Sequence, residues 1–116
     1  MNGPTPLRGE VWRVDFEPMK GHEQGRTRPA LVLSNDISNA SPSGLVTVVP
    51  ITTKGRKLRS YLRIEPPGGG LQQTSFVICD QIRTISRLRL GKRFGTVSPK
   101  VLVEVETLIK FLLDLP

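Results

Sequence analysis

Cysteine and histidine are almost absent from this chain, which has one residue of each among 116. The single cysteine, Cys79, excludes an intramolecular disulfide and a cluster of thiolate metal ligands. Because Cys79 follows the apolar residues 76–78, we expect it to be a small buried core residue. The single histidine, His22, leaves no histidine pair to share the two proton transfers of an acid–base reaction.

Long apolar runs and aromatic residues are also scarce. No stretch approaches the roughly 20 apolar residues of a membrane span, and the N-terminus lacks the apolar region of a signal peptide. We therefore expect no membrane partner and a cytoplasmic location. The aromatic residues are four Phe, one Trp and one Tyr, so any recognition of nucleic-acid bases should depend mainly on polar and backbone groups.

Acidic residues number ten against seventeen Lys and Arg, which gives a net charge of +7. Acidic residues are absent from residues 54–63 and 81–103, although both segments carry several Lys or Arg residues. Such segments attract polyanions, and contacts of Lys and Arg with phosphates give a salt-dependent affinity for nucleic acids. The charge is also compatible with an acidic protein partner, or with a basic surface that has no partner.

Metal-assisted hydrolysis is disfavoured by the spacing of the acids. Two-metal nucleases need several carboxylates that converge on the ions. Most acids in this chain stand singly, and no His-x-x-x-His or paired-carboxylate motif occurs: Glu10, Asp15, Glu17, Glu23, Asp36, Glu65, Asp80. We therefore expect no metal site and no cofactor.

The hydrophobic pattern predicts a mainly β protein with one helix. Short apolar or alternating stretches predict strands at residues 10–16, 30–34, 45–51, 61–64, 75–79, 81–85 and 92–97. Ser98 and Pro99 form an N-cap signal, and the apolar residues that follow at helical spacing predict a helix over 99–115. We expect a small, strongly curved antiparallel sheet or barrel with this C-terminal helix.

The remaining segments predict loops. Residues 35–44 are rich in Asn, Ser, Pro and Gly, and residues 66–70 read as a turn without the helix start that a phosphate-binding loop needs. Pro50 suggests that the third strand lies at an edge or ends there. The length favours a single domain over residues 1–116, with a loose arm at 1–7.

The densest group of reactive side chains lies between the first two strands. This loop, residues 19–27, is followed directly by Arg28 and Pro29 and contains five polar or charged side chains of interest: Lys20, His22, Glu23, Gln24, Arg26. Loops held by a rigid scaffold are where binding and catalytic groups concentrate. We therefore regard this loop and the strand entrance after it as the candidate site.

RNA offers a reaction that these residues could catalyse without metal. Its 2′-hydroxyl attacks the adjacent phosphorus and expels the 5′-oxygen, which requires a base, an acid and a cation for the transition state. Arg28 can grip two phosphoryl oxygens but cannot act as a base. Glu23 or His22 could accept the 2′-hydroxyl proton, and the Thr52 hydroxyl could bind a phosphoryl oxygen.

Each of these residues also has a structural interpretation. Glu23 could pair with Arg26 on the surface, and His22 could lie in solvent. Arg28 could be a structural ion-pair partner, and Thr52 could cap a turn. The residue types alone leave both interpretations open.

Five blocks in the chain, in this order, resemble the PemK/MazF-type toxin family. They are residues 8–14, which begin Arg8-Gly9-Glu10-Val11-Trp12, residues 20–35, residues 46–53 with Val49-Pro50-Ile51-Thr52-Thr53, Asp80-Gln81-Ile82-Arg83-Thr84, and Arg89-Leu90-Gly91-Lys92. The resemblance implies an SH3-like, plasmid-toxin-type barrel with a C-terminal helix. It also implies a homodimer that cuts single-stranded RNA at short sequences without metal, leaving 2′,3′-cyclic phosphate and 5′-hydroxyl ends. An acidic antitoxin would be the protein partner.

Site residues follow from the same resemblance. It implies catalytic roles for Arg28 and Thr52 and links Glu23 to activity, whereas His22 departs from the serine that is common at this position. The basic loop, residues 54–59, matches a variable region and is expected to shape the cleavage sequence. We expect ten residues to bind RNA: Lys20, Gln24, Arg26, Thr53, Lys54, Arg56, Lys57, Arg59, Gln81, Arg83.

Two other functions remain open at this point. The first is a toxin of the same fold that inhibits DNA gyrase and cleaves nothing. The second is an RNA-binding module that has lost catalysis, for which we would expect salt-sensitive binding without strand scission.

Overall fold

The computed structural model describes residues 3–17 and 26–116. Within these residues the chain forms seven strands and two α-helices. The strands are β1 (Glu10–Asp15), β2 (Thr27–Val32), β3 (Leu45–Thr52), β4 (Tyr61–Ile64), β5 (Ser75–Ile78), β6 (Arg83–Ser86) and β7 (Leu90–Thr96). The helices are α1 (Asp36–Asn39) and α2 (Pro99–Leu113). None of the described helices is long and apolar enough to cross a membrane.

All seven strands belong to one sheet in which every pairing is antiparallel. The strand order is β4-β5-β3-β2-β1-β7, and β6 also pairs with β3. The strand β3 pairs with β6 over Leu45–Val48 and with β5 at Ile51 and Thr52. This change of neighbour along one strand bends the sheet. The predicted fold, a curved antiparallel sheet with a C-terminal helix, is therefore confirmed.

Pro50 lies in a central strand, two residues before that strand ends at Thr52. Of the two predicted alternatives, the edge strand was therefore wrong, whereas a position near the end of the strand is confirmed. The Leu33 amide donates to the Thr47 carbonyl at 2.9 Å, which directs the backbone groups of residues 47, 49 and 51 towards β2. The backbone of Pro50 therefore faces the other side, where β3 has left β6 at Val48 and has not yet met β5 at Ile51. The N–H that proline lacks would have had no strand partner there.

Two apolar clusters cover the two faces of the central strands. Val11, Leu31 and Val49 belong to the cluster that α2 completes with Val105 and Ile109. Their neighbours in sequence point the other way and belong to a second cluster. The members of this second cluster are Trp12, Val14, Phe16, Ala30, Val32, Val46, Val48, Ile85 and Leu90. Because side chains alternate along a strand, β2 must be apolar on both faces, as its sequence indicates.

The helix α2 begins and ends with defined caps. The Ser98 hydroxyl accepts a hydrogen bond from the Val101 amide at 3.2 Å, and Asp114 closes the helix in a left-handed conformation at φ 57°. The predicted helix is confirmed, two residues shorter at its C-terminus. Its burial is limited to one side, since Val103 and Phe111 are exposed.

Residues 36–39, which the sequence predicted as loop, form a single helical turn. The Asn35 side chain caps it by accepting from the Ser38 amide at 2.8 Å. Asn39 at its end is fully buried and donates to the carbonyls of Pro6 and Ser34. Through Asn39 the turn thus contacts the N-terminal segment, so residues 3–7 rest against the body of the protein.

Candidate active site

Four of the predicted site residues lie outside the residues that the structure describes. These are Lys20, His22, Glu23 and Gln24. Their predicted roles stay predictions. The remaining members can be placed.

Arg28 and Thr52 line the same cleft, which has a volume of about 610 Å³. The pairing of β2 with β3 ends at Ala30 and Pro50, while β3 continues beside β5. The two strands therefore separate, and the cleft opens between residues 27–29 of β2 and residues 51–53. The sequence-predicted pair thus meets at the point where the central sheet splits. Thr53 also lines this cleft.

Arg28 carries hydrogen-bonding capacity that the described residues leave unused. It is half-buried, and its Nε atom is buried without a hydrogen-bond partner among residues 3–17 and 26–116. The ion pairs found within these residues involve Arg8, Arg63 and Arg93. A buried donor without a partner costs free energy, so an incoming phosphoryl oxygen would relieve this cost.

Thr52 performs the structural role that its sequence position suggested, since its side chain caps a turn. Its Oγ1 accepts a hydrogen bond from the Lys54 amide at 3.1 Å, which fixes the turn into the basic loop. A hydroxyl that accepts one bond still has its proton to donate. The side chain is only 6% exposed, so its orientation is fixed by packing. Thr52 can therefore present a fixed O–H donor to the cleft.

The basic loop, residues 54–59, is exposed and is held at two points. A Cβ atom on Gly55 would lie 2.7 Å from ring atoms of Phe76, so the loop backbone rests on that ring. Arg59 stacks over the Phe111 ring of α2, 4.7 Å from its centroid. Lys54, Arg56, Lys57 and Arg59 do not line the cleft. They follow Thr53, which does line it, and their predicted role in specificity stays a prediction.

Arg83 is placed on the same sheet face as Arg28. Arg83 pairs with Val48, and Arg28 pairs with Val14, and both valines belong to the second cluster. The Arg83 guanidinium stacks 5.2 Å from the centroid of the Phe16 ring. Neither Arg83 nor Gln81 lines the cleft.

Arg26 adopts a left-handed backbone conformation, with φ of 62°. Its carbonyl accepts a hydrogen bond from the Phe16 amide at 2.8 Å, which closes the base of the loop between β1 and β2. A non-glycine residue in this region carries backbone strain. The strain marks the point where the predicted loop joins the strand that bears Arg28.

A known family matches the chain over nearly its whole length. The model of the PemK-like, MazF-like toxin of type II toxin–antitoxin systems matches residues 7–113. The chain belongs to this toxin family. Among its relatives, the endoribonuclease MazF9 of Mycobacterium tuberculosis is 37% identical over 113 residues, which cover 93% of this chain and 96% of the relative.

Solved structures agree with this assignment of the PemK-like chain. Crystalline MazF from Deinococcus radiodurans superposes with a TM-score of 0.86 at 29% identity, covering 97% of this chain and 99% of that one. An endoribonuclease from a mycobacterial species, solved in complex with its cognate antitoxin, gives a TM-score of 0.76 at 30% identity. That match covers 100% of this chain and 98% of the other.

Several cleft residues of this toxin-family chain were not predicted from its sequence. They are Thr27, Gln72, Gln73, Ser75 and Lys92. Gln72 and Gln73 reach the cleft because the glycine turn before them packs onto β7, a contact between distant parts of the chain. The sequence could have indicated Lys92 as a site residue, since it lies in the acid-free segment 81–103 and in one of the five family blocks. Among the described residues, the cleft therefore combines Arg28, Lys92, amides and hydroxyls, and no acidic side chain lines it.

Cys79 is buried, as predicted, at 1% exposure. Burial, with a smaller contribution from neighbouring Asp80, raises the pKa of its thiol to about 12. The thiol is thus protonated at neutral pH and is a poor nucleophile.

Glu10 anchors the strands beside the cleft, and replacing it by glutamine should lower stability. Its carboxylate accepts hydrogen bonds from the Leu7 amide (2.7 Å), the Trp12 indole (3.0 Å) and the Arg93 guanidinium (2.6 Å). Burial would raise the pKa of Glu10, but these bonds bring it below its ordinary value. Glu10→Gln places an amide NH₂ or an uncharged amide oxygen opposite Arg93. We expect the free energy of unfolding at pH 7 to fall by about 2 kcal/mol.

The pH dependence of stability separates this charge effect from lost packing. A carboxyl group whose pKa is lower in the folded state stabilises the folded protein at pH values above its unfolded-state pKa. This stabilisation disappears as the pH falls through the folded-state pKa. The stability difference between wild type and Glu10→Gln should therefore shrink below about pH 4 in urea titrations. A difference that stays constant down to pH 2.5 would contradict the electrostatic origin.

Proposed function

We propose that this protein is the endoribonuclease toxin of a toxin–antitoxin pair and cuts single-stranded RNA without a metal ion. The observation that carries the proposal is the cleft lined by Arg28 and Thr52, with a fixed hydroxyl and a buried guanidinium N–H that has no partner among residues 3–17 and 26–116. The relatives named as endoribonucleases support the activity class. The positive charge of +7 suits both a polyanionic substrate and an acidic antitoxin.

The reaction uses the RNA's own 2′-oxygen as the nucleophile. This oxygen bonds to phosphorus while the bond to the 5′-oxygen breaks, which yields a 2′,3′-cyclic phosphate and a 5′-hydroxyl. Arg28 and Thr52 bind the phosphoryl oxygens, whose negative charge grows in the transition state. Glu23 or His22 takes the 2′-hydroxyl proton, and the other residue of this pair is the candidate donor to the leaving oxygen.

The other features of the assembly are part of the same proposal. We expect a single domain over residues 1–116, a homodimer and a cytoplasmic location. The basic loop, together with Arg83 and the polar cleft residues, selects the cleavage sequence. The antitoxin inhibits by covering the RNA-binding surface with an acidic segment.

The decisive experiment is incubation of the purified protein with a long single-stranded RNA in excess EDTA, followed by analysis of the product ends. We expect discrete cuts that leave cyclic phosphate and 5′-hydroxyl ends, because no step needs a metal-activated water. Intact RNA would overturn the proposal. A supercoiling assay with DNA gyrase and a salt-dependent RNA-binding assay would then distinguish the gyrase inhibitor from the inactive RNA-binding module.

A further inference from the structure

A second groove lies beside the cleft, on the outer side of β1, β2 and β7. It has a volume of about 420 Å³ and is lined by six residues: Arg13, Asp15, Thr27, Arg89, Leu90, Gly91. The pairs Asp15–Thr27 and Arg13–Pro29 place Arg13, Asp15 and Thr27 on one face of the β1–β2 ladder.

The groove is continuous with the cleft at two points. Thr27 lines both, immediately before Arg28 in the sequence. Gly91 lines the groove, and the next residue, Lys92, lines the cleft. An RNA strand bound in the cleft can therefore pass Thr27 and Lys92 and continue into the groove.

The groove exposes a positive charge that no described residue pairs with. Arg13 is exposed on β1, and no ion pair or hydrogen bond of its side chain occurs with the described residues. Its guanidinium lies against Gly91, where a Cβ atom would be 3.1 Å from Nε. The absence of a side chain at Gly91 thus leaves room for Arg13 along β7.

Arg89 is oriented by backbone groups and not by an acid. Its Nη1 donates to the carbonyls of Asp15 and Glu17, the former at 3.1 Å. Asp15, the one carboxylate among the described residues that line the groove, accepts from the Glu17 amide at 3.1 Å. Among these residues, two guanidinium groups therefore accompany one carboxylate that is already engaged, and their summed charge is positive.

We propose that this groove binds the phosphodiester backbone of RNA nucleotides that flank the cleaved bond, with Arg13 and Arg89 contacting the phosphates. The inference rests on the function proposed above. A positively charged groove that follows the backbone is the usual way to hold a single strand, and guanidinium matches phosphate geometry. An acidic peptide fits less well, because the only large apolar residue among the described residues of the groove is Leu90, which is 8% exposed.

The test compares two RNA substrates that share one cleavage sequence. The short RNA ends next to that sequence, and the long RNA adds about ten nucleotides on each side. Arg13→Ala is the principal variant, because Arg89 also supports the backbone at residues 15 and 17. The control is Arg63→Ala, on β4 outside both grooves, where the side chain is exposed and pairs with Glu65. Thermal melting should show that both variants fold.

We expect Arg13→Ala to lower kcat/KM for the long RNA about tenfold and to reduce its advantage over the short RNA. The salt dependence of binding to the long RNA should fall by about 0.7 in the slope of log K against log salt, the loss of one phosphate contact on a single strand. Arg63→Ala should change neither quantity. An unchanged long-to-short ratio and slope in Arg13→Ala would overturn the inference.

Two further outcomes separate this inference from its rivals. If Arg13→Ala weakens binding of the antitoxin but not of the long RNA, the groove belongs to the protein partner and the inference is wrong. If the wild-type protein cleaves neither RNA, the proposed function fails first. In that case, direct binding of the long RNA to wild type and Arg13→Ala still decides whether the groove holds phosphates.

Discussion

Arg28→Ala is expected to reduce RNA cleavage at least about a thousand-fold while the protein stays folded. The lost group is the guanidinium of Arg28, a residue that lines the cleft with Thr52 and has a buried Nε without a partner among the described residues. Removal of one preorganised donor to a developing oxyanion lowers the catalytic rate about 100- to 1000-fold, and the substitution Arg28→Ala also removes a full positive charge. The measurement is single-turnover cleavage of the target RNA, which reports the chemical step.

The stability of Arg28→Ala should differ from wild type by no more than about 1 kcal/mol. Alanine removes apolar contacts of the arginine stem but also removes a buried donor that lacks a partner. Arg28→Lys is the matched variant, because it keeps the charge and loses the fork that binds two oxygens. We expect the activity of Arg28→Lys to lie between that of wild type and that of Arg28→Ala. Wild-type cleavage by Arg28→Ala would refute the assignment of the cleft as the active site.

The strands and the long helix could be predicted because their signals are local. Alternation in residues 10–16 predicts β1, and the Ser98 cap with Pro99 fixes the start of α2 to the residue. The turn α1 was missed, since a single helical turn gives almost no periodic signal and depends on the Asn35 cap. The edge-strand prediction from Pro50 was wrong for a related reason. Whether a strand tolerates proline depends on which strands flank it at that point, and the local sequence does not show this.

The candidate site could be predicted only in part. Arg28 and Thr52 stand beside recognisable strands, so their meeting in one cleft was foreseeable. The cleft itself exists because β2 and β3 separate after the Ala30–Pro50 pair, and nothing local in either strand encodes this separation. Gln72, Gln73 and Ser75 enter it through contacts between distant segments. Sequence reasoning therefore named Arg28 and Thr52, which share the cleft, and missed the residues around them.

Gly70→Ala is expected to destabilise the protein strongly and to damage the cleft. Gly70 has φ of 73°, and a Cβ atom there would lie 2.0 Å from the Phe94 carbonyl oxygen of β7. The left-handed conformation alone costs a non-glycine residue roughly 1–2 kcal/mol, and forced overlap with backbone adds a further 1–3 kcal/mol. We expect the free energy of unfolding to fall by about 2–5 kcal/mol, measured by urea denaturation.

Gly68→Ala, in the same turn, is the matched control. Its φ lies outside the left-handed region, and an added Cβ would approach only the Ile64 side chain, at 3.1 Å. We therefore expect its stability to stay within about 1 kcal/mol of wild type. The comparison isolates the close approach of residues 70 and 94, which brings Gln72 and Gln73 to the cleft. Gly70→Ala that folds should also bind RNA more weakly. Equal stabilities of the two variants would mean that the turn does not pack on β7.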